Sequence, residues 1–126
     1  MQKLVIILVV ALAGACHREP SAASQSSESS IVLPAGMSRV SDPSLVCMVN
    51  DQFMGRPQIP VPVAGKTYYG CCAMCQARLG NEPATRTAQD PVTGEAVDKA
   101  SAVIVQDASG KVMYFASEDT LRRFRG

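Results

Sequence analysis

The sequence predicts a small α+β fold, made of two ββα units in pseudo-duplicate and preceded by a signal peptide and a disordered tether. The 126 residues include no Trp, three Phe and three Tyr, which suits one modest core. Two stretches show strand, turn, strand and helix signals in the same order. The predicted boundaries are residues 1–15 for the signal peptide, 16–41 for the tether and 42–126 for the domain, with units at 42–80 and 90–124.

The N-terminus has the features of a targeting signal. Lys3 precedes an apolar run over residues 4–12, which is too short for an ordinary transmembrane helix. The sequence Leu-Ala-Gly-Ala-Cys at 12–16 resembles a bacterial lipobox, and this resemblance implies cleavage before Cys16 and a lipid on its thiol. Such a chain is anchored to the cell envelope and faces the periplasm. In bacterial lipoproteins, an aspartate directly after the lipidated cysteine is associated with retention in the inner membrane. This chain has His17 at that position, which favours the outer membrane. The alternative is ordinary secretion with an incidental cysteine.

The first unit of the domain is predicted from its turns and strands. Residues 45–49 are interpreted as a strand or knuckle that carries Cys47. Residues 59–63 alternate, but their two prolines restrict them to an edge strand. A turn at 65–66 and a β-branched and aromatic strand at 67–69 follow. A helix is predicted over 73–79, with Gly80 as its C-cap.

The second unit repeats this order. A strand at 102–106, a hairpin turn at 107–110 and a strand at 111–115 lead to a helix that Ser117 caps and that reaches about residue 124. The Gly-Lys pairs at 65–66 and 110–111 align the two units, as do the Asp-Pro pairs at 42–43 and 90–91. The alignment places the three helix-side cysteines opposite residues 116, 117 and 120. A degenerate duplication is one interpretation, and chance similarity of two short units is the other.

Four cysteines belong to the domain. Cys71, Cys72 and Cys75 lie at the start of the first predicted helix, where unpaired N–H groups and the helix dipole favour thiolate. Cys47 lies in the separate knuckle. Thiolates bind soft metal ions, so a metal site is the first hypothesis. Because an envelope protein lies in an oxidising compartment, two disulfides are the alternative. A thiol redox role for Cys72 and Cys75 comes third.

The stretch Gly-Lys-Thr-Tyr-Tyr-Gly-Cys-Cys-Ala-Met-Cys at 65–75 resembles the strand–helix half of TRASH/YHS metal-binding domains. Residues 90–117 are similar to a YHS unit without its cysteines. Together with the lipobox, the pair of units is also similar to the NosL family of copper-handling accessory lipoproteins of nitrous oxide reductase. The resemblance implies that Cys71 and Cys75 are the helix-side ligands and that Cys47 is the knuckle ligand. Asn50 stands where a four-cysteine member has its second knuckle cysteine.

These observations lead to a functional expectation. The chain is expected to bind Cu(I) or Zn(II), with Cys72 and Met48 as further candidate ligands, and to exchange metal with a donor or acceptor protein. Met48, Met54 and Met74 lie near the cysteines and favour Cu(I), although core packing also explains methionines. The alternative is a structural or interaction lipoprotein whose cysteines form disulfides or a purely structural zinc site.

Two classes of function are disfavoured by composition. The net charge is +1 and no basic patch stands out, so nucleic-acid binding is not expected. The chain has one histidine, His17, which stands beside the predicted lipidation site Cys16 and away from the four cysteines of the domain, and it has no phosphate-binding loop. An enzyme is therefore not expected.

Overall fold

A computed structural model describes residues 31–126. The predicted signal peptide, the lipidation site Cys16 and residues 16–30 of the tether lie outside the described residues. Within residues 31–126 the fold is mixed α+β, as the sequence predicted, and every strand pair is antiparallel.

The strands of the described part are short. They are β1 (Ser38–Arg39), β2 (Val46–Cys47), β3 (Gln52–Phe53), β4 (Ile59–Val63), β5 (Lys66–Gly70), β6 (Thr87–Gln89), β7 (Ala96–Asp98), β8 (Val103–Gln106) and β9 (Val112–Phe115). The helices are α1 (Ala73–Asn81) and α2 (Glu118–Arg123), and 3-10 turns occupy Pro43–Leu45 and Pro83–Arg86.

Strand pairing among the described residues produces three two-stranded sheets and one three-stranded sheet. β2 pairs with β3, β4 with β5, and β6 with β7, while the larger sheet has the order β1-β8-β9. Pro60 and Pro62 are exposed on β4 and Val61 between them is buried. Among the described strands β4 pairs with β5 alone, which confirms the predicted edge strand. The backbone N–H groups that the two prolines lack are therefore not needed for pairing with a second strand.

Helix α1 is longer than predicted. Gly80 lies inside the helix rather than at its C-cap, because the helical hydrogen bonding continues to the N–H of Glu82, which donates to the carbonyl of Arg78 at 2.7 Å. Pro83 then begins a 3-10 turn, which a proline favours at its first position and which ends the α-helix. Helix α2 begins after Ser117, which caps it as predicted.

Ordered contacts begin before residue 42, where the predicted domain starts. β1 pairs with β8, and Val40 is buried in the core. The guanidinium of Arg39 also forms an ion pair with Glu118 in the first turn of α2. The C-terminal part of the predicted tether is therefore a strand of the domain.

The core consists of two clusters of buried apolar side chains. The larger cluster lies between the hairpins and α1 and comprises Val40, Val46, Met48, Val61, Tyr68, Leu79, Ile104, Val112 and Tyr114. The smaller one packs α2 against the three-stranded sheet through Val105, Phe115 and Leu121. In residues 31–126 no helix combines the length and the apolar character needed to cross a membrane.

The turn between β6 and β7 contains a buried carboxylate. Asp90 is 1% exposed, and its Oδ1 accepts the N–H groups of Val92 at 2.8 Å and Thr93 at 3.3 Å. Its Oδ2 accepts the N–H of Ala116 at 2.8 Å, just before the N-cap of α2. This carboxylate therefore ties the β6–β7 hairpin to the beginning of the second helix.

Candidate metal centre

Three cysteine sulfurs meet at the N-terminal end of α1. The Sγ atoms of Cys47, Cys71 and Cys75 all lie within 4.8 Å of one another. The Sγ of Cys75 is 3.9 Å from that of Cys47 and 3.6 Å from that of Cys71. All four cysteines of the described residues are free thiols, so none of the disulfides considered from the sequence is formed in the structure.

Cys47 lies at the end of β2 and is fully buried. The chain turns immediately after it, through Asp51 in the left-handed region at φ 51°, and returns as β3. The Cys47 sulfur accepts N–H groups from Asn50 and Val49 in this turn. The N–H of Met48 donates to the carbonyl of Tyr69 at 2.9 Å and fixes the turn against β5.

Cys71 and Cys75 are positioned by the junction of β5 and α1. Gly70 ends the strand and lies directly under the first helical turn. A Cβ at this position would come 3.0 Å from the Cβ of Cys75 and 3.1 Å from its carbonyl carbon. Glycine at 70 therefore allows the helix to begin close to the strand, which brings the Cys75 sulfur next to that of Cys47.

The surroundings of the three clustered thiols shift their pKa values in different directions. Burial alone raises the pKa of Cys47, but the N–H groups of Asn50, Val49 and Cys71, together with the Cys71 thiol, outweigh burial and leave that pKa below its ordinary value. Donation by the Cys71 thiol to Cys47 raises the pKa of Cys71. Burial, with further contributions from neighbouring thiols, raises the pKa of Cys75 to about 12. Among the three thiols of the cluster, Cys47 is therefore the one whose pKa is held below its ordinary value.

The remaining predicted ligands have different positions. Cys72 is exposed, falls outside the group of three sulfurs and caps α1 with its side chain. Asn50 lies at the cluster, with Nδ2 3.7 Å from the Cys71 sulfur. Met48 is fully buried in the larger core cluster, and Met74 is 73% exposed on α1.

The buried ammonium group of Lys99 stabilises the turn between β2 and β3, which carries Cys47 at its beginning. Lys99 donates to the carbonyl of Met48 at 2.7 Å and to Oδ1 of Asp51 at 2.6 Å, and its side chain is only 5% exposed. Its nitrogen also lies 5.1 Å from the ring centre of Tyr114. Sequence reasoning did not identify Lys99, because a lysine next to Asp98 after a strand has no local signal that distinguishes it from a surface lysine.

The three sulfurs fit the coordination of one soft metal ion. With metal–sulfur bonds of about 2.3 Å, thiolates around one ion lie about 3.8 Å apart in a tetrahedron and about 4.0 Å apart in a planar triangle. Two of the three observed separations, 3.6 and 3.9 Å, are close to these values, and the third is within 4.8 Å. The described residues of this cluster can therefore hold a soft metal ion.

Comparison of the chain with known protein families, with curated proteins and with solved structures finds no match. The cysteine cluster and its surroundings are therefore the features that indicate a function for this chain.

Proposed function

We propose that this chain is a periplasm-facing lipoprotein that binds one soft metal ion through Cys47, Cys71 and Cys75 and takes part in copper handling. The observation that carries the proposal is the meeting of three sulfurs from two separate segments within 4.8 Å. Cysteines bind a soft cation as thiolates, so the cation replaces the protons of the thiols. Cu(I) and Zn(II) are the ions that such a donor set selects.

The number of ligands favours Cu(I). Three thiolates complete a planar shell for Cu(I), whereas Zn(II) in a closed structural site takes four ligands. The candidate fourth ligands are outside this shell, since Cys72 is exposed and Met48 is packed in the core. A three-thiolate site with an accessible side suits an ion that is received and passed on.

The setting of the site supports exchange with a partner protein. Cys71 is partly exposed and Cys72 is exposed, so one side of the cluster faces solvent. A lipid at Cys16 would hold the chain at the membrane, and the polar segment after it would let the domain reach a partner in the periplasm. The expected partner is a protein that donates or accepts a soft metal ion.

We also infer that the two halves are copies of one unit. Each half runs from a proline-initiated 3-10 turn through two hairpins to a helix. Cys47 and Asp90 each accept the N–H groups two and three residues later. Asp51 and Gly94, four residues after them, both have positive φ. This correspondence aligns Cys47 with Asp90, whereas the Asp-Pro pairs of the sequence alignment placed Asp42 opposite Asp90.

A structural zinc site is the second candidate function. The observation in its favour is that the cysteine cluster joins the β2–β3 turn to α1, much as Asp90 joins the β6–β7 turn to α2. A zinc ion in this position would stabilise the fold rather than travel to a partner.

Metal titration tests the proposal. The full chain, reduced and anaerobic, is expected to bind one equivalent of Cu(I), and Cys75→Ser is expected to lower the affinity by more than about 100-fold, beyond the usual cost of outer-shell changes. Gln76→Ser, at an exposed neighbouring position of α1, is the matched control. Absence of Cu(I) binding would refute the proposal. Zn(II) bound in preference to Cu(I), with unfolding of the metal-free chain, would favour the structural site.

A further inference from the structure

The four thiols of the domain form a series from the interior to the surface. Cys47 and Cys75 are buried, Cys71 is partly exposed and Cys72 is exposed. The Cys72 sulfur accepts the backbone N–H of Cys75 at 3.5 Å, so it lies beside a member of the group of three, although it falls outside that group. A metal ion held by the three inner sulfurs would therefore meet the Cys72 sulfur on its way to solvent.

The capping role of Cys72 does not require sulfur. Its Sγ accepts the N–H of Cys75 at 3.5 Å, with the backbone at φ −156° and ψ 171°. Ser117 caps α2 in the same way, accepting the N–H of Thr120 at 3.2 Å with φ −159° and ψ 168°. Serine is among the preferred N-cap residues, so the cap alone gives no reason for a thiol at 72.

Cys47, at the inner end of the series, has backbone donors for its sulfur. The Cys47 sulfur accepts backbone N–H groups from Val49 and Asn50 in its own turn and from Cys71 at the helix side. These donors remain in place when no metal is bound, because they belong to the backbone. They would stabilise the sulfur as a free anion, which makes Cys47 a good leaving ligand.

We propose that Cys72 is the exchange ligand of this site, through which the metal ion moves between the buried sulfurs and an external acceptor. This inference rests on the proposed function. In the exchange step the bond from the metal to the Cys47 sulfur breaks as a bond to the Cys72 sulfur forms. The Cys72 thiol proton passes to solvent, Cys47 remains a thiolate, and the oxidation state of the metal does not change. The ion is then held by Cys71, Cys72 and Cys75, all at the beginning of α1.

The shifted set of ligands is the one from which transfer to an acceptor occurs. In this set the exposed Cys72 replaces the fully buried Cys47, while the partly exposed Cys71 and the buried Cys75 are retained. An acceptor thiolate or chelator can reach the ion from this side and displace the three sulfurs one at a time. The chemical class of acceptor is therefore a soft donor group, such as the thiolates of a second metal-binding protein.

Transfer kinetics test the role of Cys72. The full chain carrying Cys16→Ser, which leaves four of the five cysteines, is loaded with Cu(I) in detergent micelles and mixed with the chromophoric chelator bathocuproine disulfonate. We expect Cys72→Ser, which preserves the cap, to slow transfer by about tenfold or more, while equilibrium affinity falls by less than about threefold. Ala73→Ser, at the next exposed position, is the matched control.

Each other outcome overturns the inference. A Cys72→Ser transfer rate within about twofold of the parent would show that the thiol is not used. A loss of affinity as large as that of Cys75→Ser would make Cys72 a resident ligand instead. Slower transfer in Met74→Leu with normal transfer in Cys72→Ser would assign exchange to the exposed thioether. If the parent chain binds no Cu(I), the proposed function fails first, and the titration reports that separately.

Discussion

Replacing Asp90 with asparagine tests how the second half of the domain joins its hairpin to its helix without a metal ion. The change preserves the size of the side chain but turns one acceptor oxygen into an NH₂ donor. In the native protein Oδ1 faces the N–H groups of Val92 and Thr93, and Oδ2 faces the N–H of Ala116. The asparagine oxygen can serve only one of these two sides.

The magnitude follows from the donor that is left unpaired. If the amide oxygen keeps the two turn N–H groups, the N–H of Ala116 loses its acceptor and faces the new NH₂. An unsatisfied buried donor costs about 1–3 kcal/mol, and the lost bond was to a charged group, so we expect a destabilisation of about 2–3 kcal/mol. For a domain of this size, that lowers Tm by roughly 10 °C or more.

The pH dependence gives a second measurement. Burial alone would raise the pKa of Asp90, but the N–H of Ala116, the Thr120 hydroxyl and the two turn N–H groups outweigh it and hold the pKa below its ordinary value. The folded state therefore binds fewer protons than the unfolded state. The stabilisation is complete above the unfolded pKa of about 3.9 and is lost as the pH falls towards the folded pKa.

Urea unfolding of the full chain, followed by far-ultraviolet circular dichroism with the thiols reduced, measures both effects. Asp119→Asn is the matched control, because its carboxylate is 71% exposed and pairs with Arg123 only at 3.5 Å. The free-energy difference between the parent and Asp90→Asn should shrink as the pH is lowered from 7 to about 3. The reasoning is refuted if Asp90→Asn unfolds within about 0.5 kcal/mol of the control, the usual range for surface substitutions.

Three further predictions concern the first half. Gly70→Ala should weaken metal binding, measured by titration, because its Cβ would come 3.0 Å from the Cβ of Cys75. Gly80→Ala, with no atom within 4 Å of its Cβ, should instead stabilise α1 by about 0.5–1 kcal/mol, measured by thermal unfolding. Lys99→Met should destabilise the fold by about 1–3 kcal/mol in urea unfolding, less than the 3–5 kcal/mol of a fully buried pair because Asp51 is 38% exposed. Mild oxidation of the metal-free chain should link Cys71 and Cys75, whose sulfurs are 3.6 Å apart, and bound metal should prevent this, as mass spectrometry of the cysteine peptides will show.

The features that the sequence predicted correctly are those with local causes. The edge strand Ile59–Val63 follows from alternation interrupted by prolines, and the cap at Ser117 follows from a hydroxyl before an acidic turn. The approach of Cys47 to the helix-side cysteines was also predictable, because a hairpin between a knuckle and a helix brings their ends together. The resemblance to metal-binding families remains a prediction that no comparison tests.

The features that the sequence did not predict depend on long-range contacts. The strand Ser38–Arg39 forms because β8 offers a free edge more than sixty residues away, and nothing in its two polar residues indicates a strand. Gly80 has the residue type of a C-cap, but Pro83 determines where α1 ends. The burial of Lys99 depends on the carbonyl of Met48 and on Asp51, both about fifty positions earlier in the chain.

The two halves solve one structural problem with different chemistry. A short two-stranded turn has too little apolar surface to hold itself against the beginning of a helix, so a polar link must fix it there. In the second half the Asp90 carboxylate provides that link, since a single anion can accept N–H groups from the turn and from the helix side. In the first half a thiolate at Cys47 accepts N–H groups from the equivalent places, but the neighbouring thiols of Cys71 and Cys75 add donors suited to a metal ion. Because these N–H groups belong to the backbone and do not depend on a metal ion, we expect the first half to stay folded when no ion is bound. A metal-exchanging site needs this property, whereas a structural zinc site does not.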